Sequence, residues 1–512
     1  MAIDQWEQFA RNIGLGGPVA GQDEFGGPGR GYIAGLAVAG FGGGRGHGLI
    51  LTQRVTWATC QYLNLPHPCR IRYLSNPKPQ ILKMQPTVLR PREREALIQS
   101  LRAGVTPVLG ARHIQVGRDA EITALEKNLD HIGDGGSAFR LVVGEYGSGK
   151  TFFMNLVRGA AMDRQLVVAH ADLNPNRRLH ASGGEARSLY AELMKNLATL
   201  TKAEGGALQT VVEKFITTAL AEARKAGSKP EDIIHERLGS LNELVMGYDF
   251  ATVIAAYWRA YEQDDEALKD NAIRWLRGEF NAKSDARRAL GVREIIDDAA
   301  VYDQLKLMAK FCRLAGYKGL LVCLDELVNL YKLANTQARN GNYEQILRIL
   351  NDLEQGTAEG LGVVLGGTPE FLMDPRRGLF SYPALQSRLA DNPFARGDLV
   401  DMNGPVLRLG TLGREHFMAL LEKLHFAYCN CQPNAVGLPA EAFPAFMHHC
   451  EQRIGEATFR TPRTTITAFI GLLAVLEQNP GVEWQTLLKQ TEIEPVTADK
   501  SSEGDDLVSL AL

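Results

Sequence analysis

The hydrophobic pattern of the chain predicts short buried strands that alternate with helices. Short, mainly apolar runs are typical of strands that are covered on both faces of a sheet. Four such runs occur: AFRLVV at 138–143, LVVAHADLN at 166–174, GLLVCLDE at 319–326 and GLGVVLGGTP at 360–369. Because helical patterns lie between them, the alternation predicts an α/β fold built on a parallel sheet.

Helical patterns precede, separate and follow these strands. Residues 116–132 carry apolar side chains three or four positions apart, which form one stripe on a helix: Ile122, Leu125, Leu129 and Ile132. Residues 91–107 also have helical periodicity, which a glycine and a proline then end. Residues 184–312 are mostly helical in pattern and predict a long insertion between two strands. The helical pattern returns from about 405 to 488.

The two ends of the chain differ in composition from its middle. Residues 1–50 are rich in glycine, and the apolar, aromatic and basic residues from Leu49 to about Met84 predict a small β-rich unit. The tail VTADKSSEGDD is acidic and rich in small residues, so we expect it to be mobile. The predicted segments are an N-terminal unit of unassigned role at 1–90, a P-loop core at 91–403, a helical lid at 404–490 and the tail at 491–512.

The composition is that of a folded, soluble protein. Of 512 residues, 45% are apolar and 22% are charged, and this length allows two to four domains. The net charge of -3 gives no global sign of nucleic-acid binding, so DNA contact would depend on local clusters such as Arg376 with Arg377, or Arg70 with Arg72. No apolar run reaches the ~18 residues of a spanning helix, so no membrane partner is expected.

The cysteines are typical of a cytoplasmic protein. An odd number of them, without a secretory signal, favours a reducing compartment over a disulfide framework. One group could be imagined as a zinc site: Cys429, Cys431, His448, His449 and Cys450. Its spacing lacks the paired C-x-x-C of structural zinc sites, so no such site is expected.

A phosphate-binding motif follows the first predicted strand. Residues 144–151, GEYGSGKT, match the P-loop pattern G-x-x-x-x-G-K-[ST]. Backbone N–H groups of such a loop point at phosphate oxygens, and this loop consists of Gly144, Glu145, Tyr146, Gly147, Ser148 and Gly149. Lys150 would reach the β and γ phosphates, and the hydroxyl of Thr151 would bind Mg²⁺. The motif therefore predicts ATP and Mg²⁺ as cofactors.

Residues after the later strands predict hydrolysis. Asp325 and Glu326 end the third strand, where Asp325 would hold the water shell of Mg²⁺ and Glu326 would orient or deprotonate the attacking water. Thr368 ends the next strand and could contact the γ phosphate, although an ordinary turn before Pro369 is the alternative. Positive charge for the transferring phosphoryl group could come from arginines that could equally be solvated: Arg388, Arg460 and Arg463.

This set of motifs resembles the organisation of AAA+ ATPases. The shared features are the VGR segment, the P-loop, the acid pair, the polar residue after the next strand and a helical lid with an arginine. By that resemblance, the adenine pocket would be lined by Val116, Gly117 and Arg118. Arg463 would report the γ phosphate from the lid, and Arg388 would act across a subunit boundary, which implies a homo-oligomer.

Three longer stretches resemble the ATP-binding proteins of bacterial phage-exclusion (BREX) islands, in particular the BrxD-like group. They are GEYGSGKTFF, AGYKGLLVCLDELVNLYKL and LGGTPEFLMDPRRGLFSYPALQSRL, and the resemblance covers residues 91 to about 480. It implies a role in defence against phage, with a helicase or another defence protein as companion. Residues 1–90 lie outside it.

Two functions of different kinds fit these residues. The first is an ATPase that couples turnover to remodelling or loading of DNA or a DNA-bound helicase. The second is an oligomeric switch that recruits effectors in its ATP-bound state with little turnover. A metabolic kinase fits less well, because the acid pair and the long lid are machinery that a small-molecule kinase does not need.

Overall fold

The protein is built on a five-stranded sheet. Its strands are β1 Ala138–Val143, β2 Val167–Asp172, β3 Leu320–Asp325, β4 Leu361–Gly367 and β5 Val406–Arg408. All neighbouring pairs are parallel, and their order across the sheet is β2-β3-β4-β1-β5. The predicted α/β fold and its four strands are therefore confirmed. The edge strand β5 was not predicted, because three residues are too few to form a recognisable pattern.

The computed structural model describes residues 89–395, 399–429, 436–454 and 462–490. The predicted N-terminal segment at 1–90, apart from its last two residues, lies outside these ranges together with its β-rich unit, and the acidic tail does as well. Several residues considered in the sequence analysis do as well: Arg70, Arg72, Cys431 and Arg460.

Helices cover the sheet, form the insertion and build the lid. The first helix is α1 Pro91–Arg102, and α2 Asp119–Gly133 and α3 Lys150–Asp163 lie against the sheet. The insertion contains α4 Glu185–Lys195, α5 Leu208–Ala226, α6 Pro230–Gly239, α7 Gly247–Gln263, α8 Glu266–Leu276, α9 Lys283–Leu290 and α10 Val301–Leu314. After β3 follow α11 Val328–Tyr331, α12 Thr336–Glu354, α13 Pro369–Met373, α14 Pro383–Leu389, α15 Arg414–Tyr428, α16 Ala442–Ile454, α17 Pro462–Gln478 and α18 Trp484–Gln490.

Both faces of the sheet are covered, which explains the apolar runs of the sequence. Every residue of β1, β3 and β4 is buried. One face packs against α2 and α3, and the other packs against a larger core that includes the insertion helices. The close fit of α2 depends on Gly362, since a Cβ there would overlap Ile132. Burial of this apolar surface is the main favourable term for the fold.

The insertion has an aromatic core that is continuous with one face of the sheet. Phe250 and Phe311 meet edge to face with their ring centroids 5.3 Å apart. The start of α4 is capped from a distance, because Asp298 accepts backbone hydrogen bonds from Gly184 at 2.7 Å and from Arg187 at 2.8 Å. The predicted helical insertion between the second and third strands is thus present and well packed.

Helix α1 packs with the lid rather than with the sheet. Its buried residues Leu97, Ile98 and Leu101 belong to the same apolar cluster as the buried residues of α15 to α18. A hydrogen bond of 3.2 Å from Thr467 Oγ1 to the carbonyl of Leu101 joins α1 to α17. The apolar stripe of α1 is therefore buried against helices more than 300 residues later in the chain, and not within the predicted P-loop core at 91–403.

Candidate functional site

The P-loop joins the end of β1 to the start of α3. Gly147 and Gly149 have φ angles of 78° and 87°, in the left-handed region that glycine adopts without strain. A Cβ on Gly144 would overlap the side chain of Ser148. All three glycines of the motif are therefore required by backbone geometry or by close approach, which is the physical basis of the pattern.

Two polar groups of the loop can serve an anionic ligand. Lys150 Nζ lies over the loop and donates to the carbonyls of Gly144 at 2.8 Å and Glu145 at 3.0 Å. Burial lowers the pKa of Lys150, while the nearby carboxylates of Asp325 and Glu326 act in the opposite direction. Ser148 Oγ is buried and has no hydrogen-bond partner among the described residues. Phosphate oxygens would satisfy both groups.

Thr151 and Asp325 meet as a donor set suited to Mg²⁺. Thr151 Oγ1 donates to Asp325 Oδ2 at 2.8 Å, and the backbone N–H of Glu326 donates to Asp325 Oδ1 at 2.9 Å. Asp325 is buried at the end of β3. Hydroxyl and carboxylate oxygens beside a phosphate site are what Mg²⁺ binds in proteins, so the residues present fit this ion.

Glu326 is held in an unusual backbone conformation. Its φ angle is 59°, which is uncommon for a residue with a side chain. The following residue, Leu327, donates its N–H to the carbonyl of Gly366 on β4 at 3.1 Å and so anchors the turn. Partial burial of the carboxylate, with the charges of Asp325 and Asp172 beside it, raises the pKa of Glu326. Strained, charged positions of this kind cluster at functional sites.

Asp172 is a third acid at this edge of the sheet that the sequence analysis did not single out. It ends β2, and its Cα lies opposite that of Asp325 in the register of the two strands. The signal was present in LVVAHADLN, because the carboxyl ends of neighbouring parallel strands meet at the same edge.

A cavity of about 320 Å³ lies beside the P-loop, between the sheet and the lid. Its polar wall contains Lys150, Thr151 and Glu326. Its apolar wall is formed by residues of α1, the following loop, and the lid: Leu101, Val105, Ile114, Leu412, Leu420 and Ile466. This combination suits a nucleotide, whose phosphates would lie against the polar wall and whose base would lie against the apolar wall.

The three residues predicted to line the adenine pocket have different surroundings. Val116 and Arg118 line the cavity. Gly117 has a φ angle of 62°. A Cβ on Gly117 would lie 2.7 Å from the ring of His416, so the chain passes close to the lid at this residue. The guanidinium of Arg118 donates to backbone carbonyls of Ser148 and Gly410.

Thr368 and the two described arginine candidates lie in different places. Thr368 follows β4 and caps α13, accepting a hydrogen bond from the N–H of Phe371 at 3.4 Å. Arg463 lies in the first turn of α17 and lines the cavity. Arg388, in α14, is exposed and donates to the carbonyl of Ala384 at 3.1 Å, and it is not part of the cavity wall of its own chain.

The cysteines considered as a zinc site and the arginine considered for DNA contact take part in the packing and hydrogen bonding of the fold. Within the described ranges, no three His, Cys, Asp or Glu side chains are grouped as a metal site. Cys429 and Cys450 are buried in the apolar cluster of the lid. Arg377 Nη2 donates to the carbonyls of Tyr331 and Leu333, so this arginine is engaged in the fold. No helix in the described part of the chain is long and apolar enough to cross a membrane.

Fold and site together define the class of the protein. A P-loop follows β1, an acid pair follows β3, and β4 lies between these two strands in a parallel sheet, which is the arrangement of P-loop ATP-binding proteins. The family model described as BREX system ATP-binding protein BrxC/D matches residues 89–492, and the chain belongs to this family. It is therefore an ATP-binding protein of a bacterial system of defence against phage. A comparison with curated proteins found no match.

Proposed function

We propose that the protein hydrolyses ATP in the presence of Mg²⁺ and couples this turnover to remodelling or loading of DNA or of a DNA-bound helicase. The observation that carries the proposal is the meeting of Thr151 with Asp325 at 2.8 Å, beside a cavity that Lys150 and Glu326 also line. A protein that only stores nucleotide does not require an acid placed to activate water.

Each residue has a role that its surroundings allow. Lys150 would bind the β and γ phosphates, and Thr151 with Asp325 would hold Mg²⁺, which shields the phosphate charge. Glu326 would orient the attacking water and accept its proton, and Thr368 would contact the γ phosphate or that water. Val116 and the apolar wall of the cavity would hold the base.

Two arginines would complete the site, one from each of two chains. Arg463 belongs to the lid and lines the cavity, so closure of the lid would bring its charge to the γ phosphate. Arg388 is exposed and does not line the cavity of its own chain, which fits a residue that acts on a neighbouring subunit. We therefore propose a homo-oligomer in which the sheet with its insertion holds the site, and residues 404–490, packed with α1, act as the lid.

Family membership supports partners from the same defence system. We propose a helicase or another defence protein as the direct partner and DNA as the substrate of the complex, in the cytoplasm.

The test is ATP turnover by the full-length protein, measured alone, with single-stranded or duplex DNA, and with the neighbouring helicase. We expect Mg²⁺-dependent turnover that Glu326→Gln reduces by about 10²–10⁴-fold, the usual contribution of a general base, while ATP binding is retained. ATP binding and ATP-driven assembly without turnover under any of these conditions would overturn the proposal in favour of the oligomeric switch. Full protection against phage by the Glu326→Gln variant would also overturn the proposal, because protection would then not require hydrolysis.

A further inference from the structure

The cavity lies between two packed bodies that are joined by two short connections. We define the sheet body as β1–β5 with α2–α14, and the lid body as α1 with α15–α18. The first connection runs from Ile114, buried in the lid cluster, to the start of α2. The second runs from Leu409, buried in a cluster of the sheet body, to Leu412, which packs on the lid cluster.

Arg118 lies where the two connections meet the P-loop. The residue is buried, with 8% of its surface exposed. Nη2 donates to the carbonyl of Ser148 in the P-loop at 3.3 Å and to the carbonyl of Gly410 in the second connection. Nη1 pairs with Glu121 at 3.4 Å, which fixes the guanidinium plane. One side chain of the first connection thus holds both the P-loop and the second connection.

A second close contact lies directly beside it. Gly117 leaves no room for a side chain, since a Cβ would lie 2.7 Å from the ring of His416 near the start of α15. Lys423, also in α15, donates to the carbonyl of Gln115 in the first connection. The first connection is therefore held against the lid at Gln115 and Gly117, and the next residue, Arg118, bonds to the P-loop.

We propose that Arg118 couples the P-loop to the lid, so that occupation of the phosphate site sets the angle of the lid body. The role of Arg118 is to position other groups, not to contact the reacting atoms. Hydrogen bonds from a charged guanidinium are strong, and in a buried place they have no water to replace them. A shift of the Ser148 carbonyl on phosphate binding must therefore move Gly410, or break one of the two bonds. The lid carries Arg463, so a change in the angle of the lid body would also move this arginine relative to the cavity. In this respect the coupling deepens the proposed function, and its effect on catalysis rests on that function.

The experiment is hydrogen exchange by mass spectrometry on the full chain, with and without Mg²⁺ and the slowly hydrolysed analogue ATPγS. In the wild type we expect ligand-dependent protection of the P-loop and also of α1 and α15–α18. The test variant is Arg118→Met with Glu121→Gln, which removes both donors to the carbonyls without leaving a buried carboxylate unpaired. Each protein is measured at ATPγS concentrations that saturate its own site, so that any change in affinity is removed from the comparison. We expect the ratio of lid protection to P-loop protection to fall about fivefold or more in this variant, the lower range of coupling between sites.

Two further variants separate coupling from stability. Glu121→Gln alone keeps both carbonyl bonds and should keep lid protection. Arg118→Lys keeps the positive charge but has a shorter side chain without the planar guanidinium, so it should retain part of the lid protection. Lid protection equal to wild type in the double variant, or absence of lid protection in a wild type whose P-loop is protected, would overturn the inference. Absence of ATP turnover would overturn the proposed hydrolysis but not this coupling, which depends on binding alone.

Discussion

Thr151 Oγ1 donates a hydrogen bond of 2.8 Å to Asp325 Oδ2, across 174 positions of the chain. This bond joins the first turn of α3 to the end of β3, although β4 separates β3 from the P-loop strand. The two residues therefore meet at the carboxyl edge of the sheet. A Mg²⁺ ion bound to the phosphates there would take one ligand from α3 and one from β3.

Substitution of Thr151 tests this relationship. Thr151→Ala removes the hydroxyl and leaves the buried Asp325 with one partner fewer, so we expect ATP turnover to fall by about 10–100-fold, as for loss of a metal-supporting group. Thr151→Ser keeps the hydroxyl and should retain turnover within a few-fold. The measurement is turnover against Mg²⁺ concentration. A Thr151→Ala variant with the Mg²⁺ dependence of the wild type would contradict the assignment.

Gly366 controls the position of Asp325 from the neighbouring strand. A Cβ on Gly366 would overlap Asp325 Oδ1, so Gly366→Ala must displace the carboxylate. We expect turnover to fall at least about tenfold, which corresponds to an activation barrier higher by about 1.4 kcal/mol. Gly159→Ala is the matched control, because its Cβ would meet nothing within 4 Å and alanine favours the helix α3. Equal activity of the two variants would show that Asp325 tolerates displacement.

Mixed chains test whether Arg388 acts on a neighbour. Arg388→Ala and Lys150→Ala should each be inactive alone. In a mixed oligomer, the Lys150→Ala chain supplies Arg388 to a P-loop of the other chain, so an intact site is formed and part of the turnover returns. The readout is ATPase rate against mixing ratio. A rate no higher than the sum of the separate variants would exclude the contribution of Arg388 across the boundary.

The side chain of His170 is expected to make the folded protein less stable in mild acid. Burial, together with the nearby charge of Arg158, lowers the pKa of His170 from 6.5 to about 4. Between these two values the unfolded chain binds a proton that the folded chain does not, so stability falls as the pH decreases from 6.5 towards 4. The loss would reach at most about 3 kcal/mol.

The measurement for His170 is the thermal unfolding midpoint at pH 7 and pH 5. His170→Gln has no group to titrate at this position, so its midpoint should decrease less between the two pH values than that of the wild type. The same decrease in both proteins would show that other groups account for the acid sensitivity.

Much of the fold could be predicted because its signals are local. The runs before Gly144 and Asp325 are mainly apolar because both faces of these strands are buried. The P-loop glycines are required by the φ angles of the loop backbone. The edge strand β5 has three residues and no such signal. Asp172 was overlooked because its importance depends on which strand lies beside it, and that is a property of the sheet order.

Residues close together in the chain specify the strands and helices of the α/β core, the long helical insertion, the phosphate-binding loop and the motifs of the family of ATP-binding proteins. These features could therefore be recognised in the amino-acid sequence alone. In contrast, the packing of α1 with the lid and the bonds from Arg118 to Ser148 and Gly410 join residues far apart in the chain, so they became apparent only in the folded protein. An apolar stripe or a guanidinium predicts that a partner exists, and the folded packing decides which one it is.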